Sequence, residues 1–111
     1  MDPTELDEIN ERYRRRRATY DPLDAWMNRT LQERERAIVR WARHSLRKPL
    51  QSATLLEIGC GNGDNLLQFL RLGFRPENLA GNELIADRVA QARVRLPAAI
   101  ELFEGNAGTI N

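Results

Sequence analysis

The residues best placed to do chemistry in this 111-residue chain surround a run of alternating glycines, Glu57-Ile58-Gly59-Cys60-Gly61-Asn62-Gly63-Asp64. A second carboxylate, Glu83, follows 20 residues after Gly63. Glycine permits positive φ and close approach of backbone to a ligand, and a helix behind such a turn presents free N–H groups. An apolar strand, Gly-x-Gly-x-Gly and a helix therefore make a cradle for a cofactor. Spacing selects the class of ligand. A dinucleotide turn reads Gly-x-Gly-x-x-Gly, but its sixth position is Asp64 counted from Gly59 and Leu66 counted from Gly61. An aspartate there would also oppose a pyrophosphate. No Gly-Lys-Ser/Thr follows, which excludes a triphosphate loop. The turn suits a nucleoside ligand without phosphates.

Other reactive side chains read as structural. A catalytic thiol at Cys60 would need a base or a positive neighbourhood, and the sole histidine, His44, falls on a different predicted helix. Cys60 is then a small loop residue. Arg12 and Arg14 to Arg17 resemble a phosphate handle, yet Asp7, Glu8 and Glu11 offset them and no aromatic ladder accompanies them. They read as a solvated helix face. Trp26 and Trp41 read as core or lid.

The elements that must position the turn follow from periodicity. Leu6, Ile9 and Tyr13 mark a first helix starting after Thr4 and fraying by Thr19, before Asp21-Pro22. Thr30 and Glu33 form a capping-box pattern that predicts a second helix, with Leu31, Ile38, Trp41, Ala42 and Leu46 on one face and Pro49 at its end. Ala53–Ile58 predicts a strand buried on both faces. A helix through Leu66, Leu67, Phe69 and Leu70 closes at Gly73, and a second strand runs from Leu79 to Glu83. Ile85 to Leu96 predicts a helix with Val89, Ala92, Val94 and Leu96 near its buried side, and Ile100–Glu104 a third strand. The β-α-β-α-β order implies an α/β fold, a parallel sheet with right-handed crossovers.

Composition sets the outer limits. Residues 1–50 carry 12 basic and 9 acidic side chains and residues 51–111 carry 5 and 7, so a basic helical lead precedes a mildly acidic part. The total of +1 gives no argument for a nucleic-acid or membrane surface. One cysteine excludes an internal disulfide and a multi-thiolate zinc site. With neither a signal peptide nor a spanning segment, the chain reads as soluble and cytoplasmic.

The glycine segment resembles motif I of the class I S-adenosylmethionine-dependent methyltransferases, an apolar strand, Asp/Glu-x-Gly-x-Gly-x-Gly, then a helix. Glu57, Gly59, Gly61 and Gly63 fill its fixed positions. Leu79-Ala80-Gly81-Asn82-Glu83-Leu84 resembles that family's second strand, and Phe103-Glu104-Gly105-Asn106-Ala107 the segment after its third. The resemblance covers about residues 50–111 and implies a Rossmann-like sheet of order 3-2-1-4-5-7-6. It also implies S-adenosylmethionine as cofactor, S-adenosylhomocysteine as product and methyl transfer to a small-molecule acceptor.

By that resemblance Glu57 draws the ammonium, Cys60 lies in the cradle, Glu83 accepts both ribose hydroxyls, Leu84 beside it is also cofactor-binding, and Asn106 and Ala107 border adenine. Asn106 departs from the commoner aspartate, but its amide can still pair with the base. Residues 1–50 become a lid that brings an arginine or Tyr20 to the methionine end, and residues 51–111 a partial domain lacking strand four onward. A half-sheet would leave the first strand, normally central, as an exposed apolar edge, so the expectation is a truncated product, or a sheet completed by self-association or a second chain. Catalytic residues stay unassigned. The alternatives are a non-catalytic S-adenosylmethionine or S-adenosylhomocysteine module and a dinucleotide-binding half-domain.

Overall fold

The computed structural model describes residues 2–18, 21 and 23–109. Tyr20 lies outside the described residues, as do the side chains of Arg14 to Arg17. The chain divides into two compact units, Met1–Leu46 and Arg47–Asn111.

The first unit is helical. Helix α1 spans Pro3–Ala18. It starts a little earlier than the apolar stripe predicts, because Pro3 suits the first helical position and the Asp2 carboxylate accepts the Thr4 N–H at 3.0 Å. Leu6 and Ile9 are half-buried. Helix α2 spans Ala25–Ser45, five residues earlier at its start than Thr30 predicts. The cap is Asp24, whose Oδ2 accepts the Met27 N–H at 3.1 Å. Thr30 lies inside the helix and donates its hydroxyl to Trp26 O at 3.0 Å. A hydroxyl within a helix turns back on the preceding turn rather than capping. Met27, Leu31, Ile38, Ala42 and Leu46 form the half-buried stripe. Trp26 is 71% exposed, so it belongs to no core among the described residues.

The second unit is a Rossmann-like α/β layer. Strand β1 (Leu55–Ile58) leads through the glycine turn to α3 (Asp64–Leu72), then β2 (Leu79–Glu83), α4 (Ala86–Arg95) and β3 (Glu101–Glu104). The sheet has the order β1-β2-β3, all parallel. Leu56 pairs with Ala80 and Ala80 with Glu101, while Glu57 pairs with Gly81 and Gly81 with Leu102. Helix α3 closes at Gly73 (φ +125°), whose N–H reaches Leu70 O and Phe69 O. The reversal sets Phe74 edge-on against Phe69, with centroids 5.6 Å apart. Helix α4 ends before Pro97, with the Leu96 N–H donating to Ala92 O.

The core of this unit is formed by Leu66, Phe69, Leu79, Val89, Ala92, Leu96 and Ile100, all buried. Burying a leucine of this kind stabilises the fold by about 1.5–3 kcal/mol. Two expectations are corrected here. Strand β1 is not buried on both faces, since Leu56 is 48% and Ile58 58% exposed. It is the edge strand, and its side chains alternate between a half-covered face and an open one. Val94, expected near the buried side of α4, is 88% exposed. It stands two residues, or about 200° of helix rotation, from the fully buried Ala92.

Candidate functional site

Parallel pairing brings the carboxyl ends of β1, β2 and β3 to one edge of the sheet, where the glycine turn begins. The turn is tied to β2 through the backbone. Gly59 N–H and Cys60 N–H both donate to Asn82 O at 2.8 Å. Gly59, Gly61 and Gly63 have φ of +74°, +58° and +92°, all in the region that side chains disfavour. Space separates their roles. A Cβ on Gly59 would meet nothing within 4 Å, and one on Gly61 only Arg88 Nη1 at 3.8 Å. A Cβ on Gly63 would lie 2.9 Å from Leu96 Cδ1. Gly63 is therefore required by packing as well as by φ, whereas Gly59 and Gly61 border open space.

Glu83 is the second tie. It is 5% exposed, and its two oxygens are shared between two turns. Oε1 accepts the Gly61 N–H at 2.9 Å and Oε2 accepts the Ile85 N–H at 2.9 Å. Charge-assisted bonds of this kind are stronger than neutral ones and let a carboxylate be buried. Glu83 O also accepts the Gly105 N–H at 3.0 Å, which carries the connection to the end of β3.

Glu57, half-buried at the end of β1, accepts the Asn65 amide at 2.7 Å through Oε2. Asn65 Oδ1 is a buried acceptor with no hydrogen-bond partner. Cys60 is buried, and its thiol is pushed up from 9.0 to about 11, first by burial and then by the negative charges of Glu57 and Glu83. The thiol is a packed, protonated group, as its placement in the loop predicts. Its Sγ and Leu66 Cδ1 would lie 2.8 Å and 2.9 Å from a Cβ on Gly81, so this strand residue must be glycine for the loop to pack down.

The remaining candidates lie on the segments that leave β2 and β3. Leu84 is half-buried between β2 and α4. Asn106 is exposed and its Oδ1 accepts the Gly108 N–H at 2.9 Å, opening the short turn Ala107–Thr109. Ala107 is half-buried. The structure thus ties Glu83 directly to the glycine turn and Glu57 to Asn65 in the first turn of α3, and places Asn106 with its amide oxygen engaged in its own turn.

Three residues escape the sequence reading. Asn82, 3% exposed, donates to Phe103 O at 3.3 Å and Gly105 O at 2.9 Å, stitching β2 to the end of β3. An asparagine inside a strand is a detectable signal, since it is depleted from strands. Asn65 and Arg95 carry none, because their partners are set by tertiary packing. Among the described residues no cluster of metal-binding side chains occurs, and no helix is long and apolar enough to cross a membrane.

No protein-family model and no curated relative matches the chain. Its fold is similar to the crystal structure of the PH0226 protein from Pyrococcus horikoshii OT3, with a TM-score of 0.55 and 19% identity over 84% of this chain. The chain spans 38% of that structure's length. The likeness is one of fold.

Proposed function

We propose that this chain binds S-adenosylmethionine at the glycine turn and forms the cofactor-binding part of a methyltransferase with a small-molecule acceptor. The observation that carries this reading is the pair of carboxylates flanking the turn, Glu57 at the end of β1 and Glu83 tied to Gly61 N–H at 2.9 Å. Two acids at one glycine turn repel phosphates and favour a ligand with an ammonium and a diol.

The donor and acceptor inventory fits. Each Glu83 oxygen takes one backbone N–H, and a carboxylate oxygen has about two acceptor sites. One site per oxygen is left for the two ribose hydroxyls. Asn65 Oδ1, buried beside Glu57, supplies an acceptor for the ammonium. The space over Gly59 and Gly61 admits the ligand against bare backbone, and Leu84 and Ala107 offer apolar contact to the base. When bound, S-adenosylmethionine supplies a methyl group on a positively charged sulfur. The residues of this chain bind and orient it, and orientation is the larger part of what a transfer of this kind needs.

The test is thermal stability with S-adenosylhomocysteine, with NAD and with neither. Ligand at about 100 times its dissociation constant adds roughly 2.7 kcal/mol of stability. Stabilisation by S-adenosylhomocysteine that disappears in Glu83→Ala supports the proposal. A shift with NAD alone, or one indifferent to both Glu57→Ala and Glu83→Ala, overturns it.

A further inference from the structure

We infer that Arg95 is a positioning residue that moulds the glycine turn and keeps the N-terminus of α3 open. Arg95 is the last residue of α4, 33 positions from the loop carbonyl it reaches. Its Nη1 donates to Asn62 O at 3.1 Å, and its Nη2 lies 2.7 Å from Asp64 Oδ1. One planar guanidinium thus spans a backbone carbonyl inside the turn and the first side chain of α3, a fork that lysine cannot reproduce. The next residue, Leu96, fills the space a Cβ on Gly63 would need. The last residue of α4 and the one that follows it therefore form the floor of the turn.

The second consequence is electrostatic. Helix α3 has no side-chain cap, because Gly63 stands at its N-cap and the Asp64 carboxylate is held by Arg95. A carboxylate released in the first turn is drawn to the positive end of the helix. There it would occupy N–H groups in the first turn of α3 and add a negative charge beside the glycine turn. Arg95 prevents both. The ligand arm of this inference rests on the function proposed above, and the loop arm does not.

The experiment uses the full chain with Arg95→Ala, Arg95→Lys and the double variant Arg95→Ala/Asp64→Ala. Amide hydrogen exchange is read in the ligand-free protein, and the dissociation constant for S-adenosylhomocysteine by calorimetry. Arg95→Ala should speed exchange at residues 61–65 about fivefold, the upper range for a half-exposed ion pair, with smaller changes in β2. Affinity should fall by a similar factor. Arg95→Lys should be intermediate, and Asp64→Ala in the Arg95→Ala background should restore part of the affinity. Unchanged exchange at the turn, or a uniform rise across turn and sheet, overturns the role of Arg95. A double variant no better than Arg95→Ala overturns the uncapping argument. If the wild-type chain binds no S-adenosylhomocysteine while the turn still loosens in Arg95→Ala, the ligand assignment fails and the positioning role stands.

Discussion

Glu83 Oε1 accepts the amide hydrogen of Gly61 across a 2.9 Å bond, so a strand residue holds the middle of a glycine turn 22 positions earlier in the chain. The other oxygen holds Ile85 at 2.9 Å. Glu83→Gln replaces one acceptor oxygen with an amide that faces a backbone donor. The expected loss is about 1–3 kcal/mol, the cost of one unsatisfied buried group. Urea unfolding measures it, and a variant as stable as wild type would show that these bonds hold nothing.

Gly81→Ala tests the packing of the turn onto the sheet. The added methyl would lie 2.8 Å from Cys60 Sγ and 2.9 Å from Leu66 Cδ1. Overpacking of this kind costs about 1–3 kcal/mol. Cys60→Ala in the same chain removes the sulfur clash but leaves Leu66, so it should recover part of the loss and not all of it. Full recovery would show that Leu66 yields freely.

The Cys60 thiol links stability to alkaline pH. Its pKa in the fold is about 11 against an ordinary 9.0, so the folded state holds the proton more tightly than the unfolded state. The stability this contributes is complete below pH 9 and is lost as pH rises from 9 towards 11, at up to about 1.4 kcal/mol per unit. Denaturant melts of wild type and Cys60→Ala at pH 8 and pH 10.5 should therefore differ in slope, with wild type falling faster. Alkylation of the folded protein at pH 7.5 should be much slower than alkylation of the unfolded chain.

The two faces of the sheet should respond unequally to substitution. Leu66 is fully buried, and Leu66→Ala should cost about 2–5 kcal/mol. Ile58 is 58% exposed, and Ile58→Thr should stay within about 0.5 kcal/mol. Chemical denaturation of the two variants side by side decides it. Equal losses would mean that the open face of β1 is covered in solution.

The start of α2 separates Asp24 from Thr30. Asp24→Ala removes the bond to Met27 N–H and should cost about 1 kcal/mol of local helix stability. Thr30→Ala removes a back-bond within the helix and replaces a poor helix former with the best one, so it should be neutral or stabilising. Amide exchange over residues 27–31 reads both.

Most of the second unit was legible because each signal is local. A glycine after an apolar run, a proline after a helical one and a period changing from 2 to 3.6 depend only on near neighbours, and β1, α3, β2, α4 and β3 appear where those signals fall. The misreadings have one origin. Thr30 and Asp24 are both competent caps, and the turn built on Asp21, whose Oδ1 takes the Leu23 N–H at 3.0 Å, decides between them. Val94 is apolar, and only its angle to Ala92 around α4 turns it to solvent. The run Leu55–Ile58 is as apolar as a central strand, but edge or centre is a property of the sheet.

By itself the sequence determined the element order, the alternating glycines and the two carboxylates beside them, since these depend on residue type and spacing. Tertiary structure alone decided which groups meet. It put Glu83 against Gly61, Asn82 against the start of the turn and the end of β3, and Arg95 under Asn62 and Asp64. These contacts join residues about 20 to 33 positions apart, and parallel crossovers bring them together through packing that no local pattern encodes.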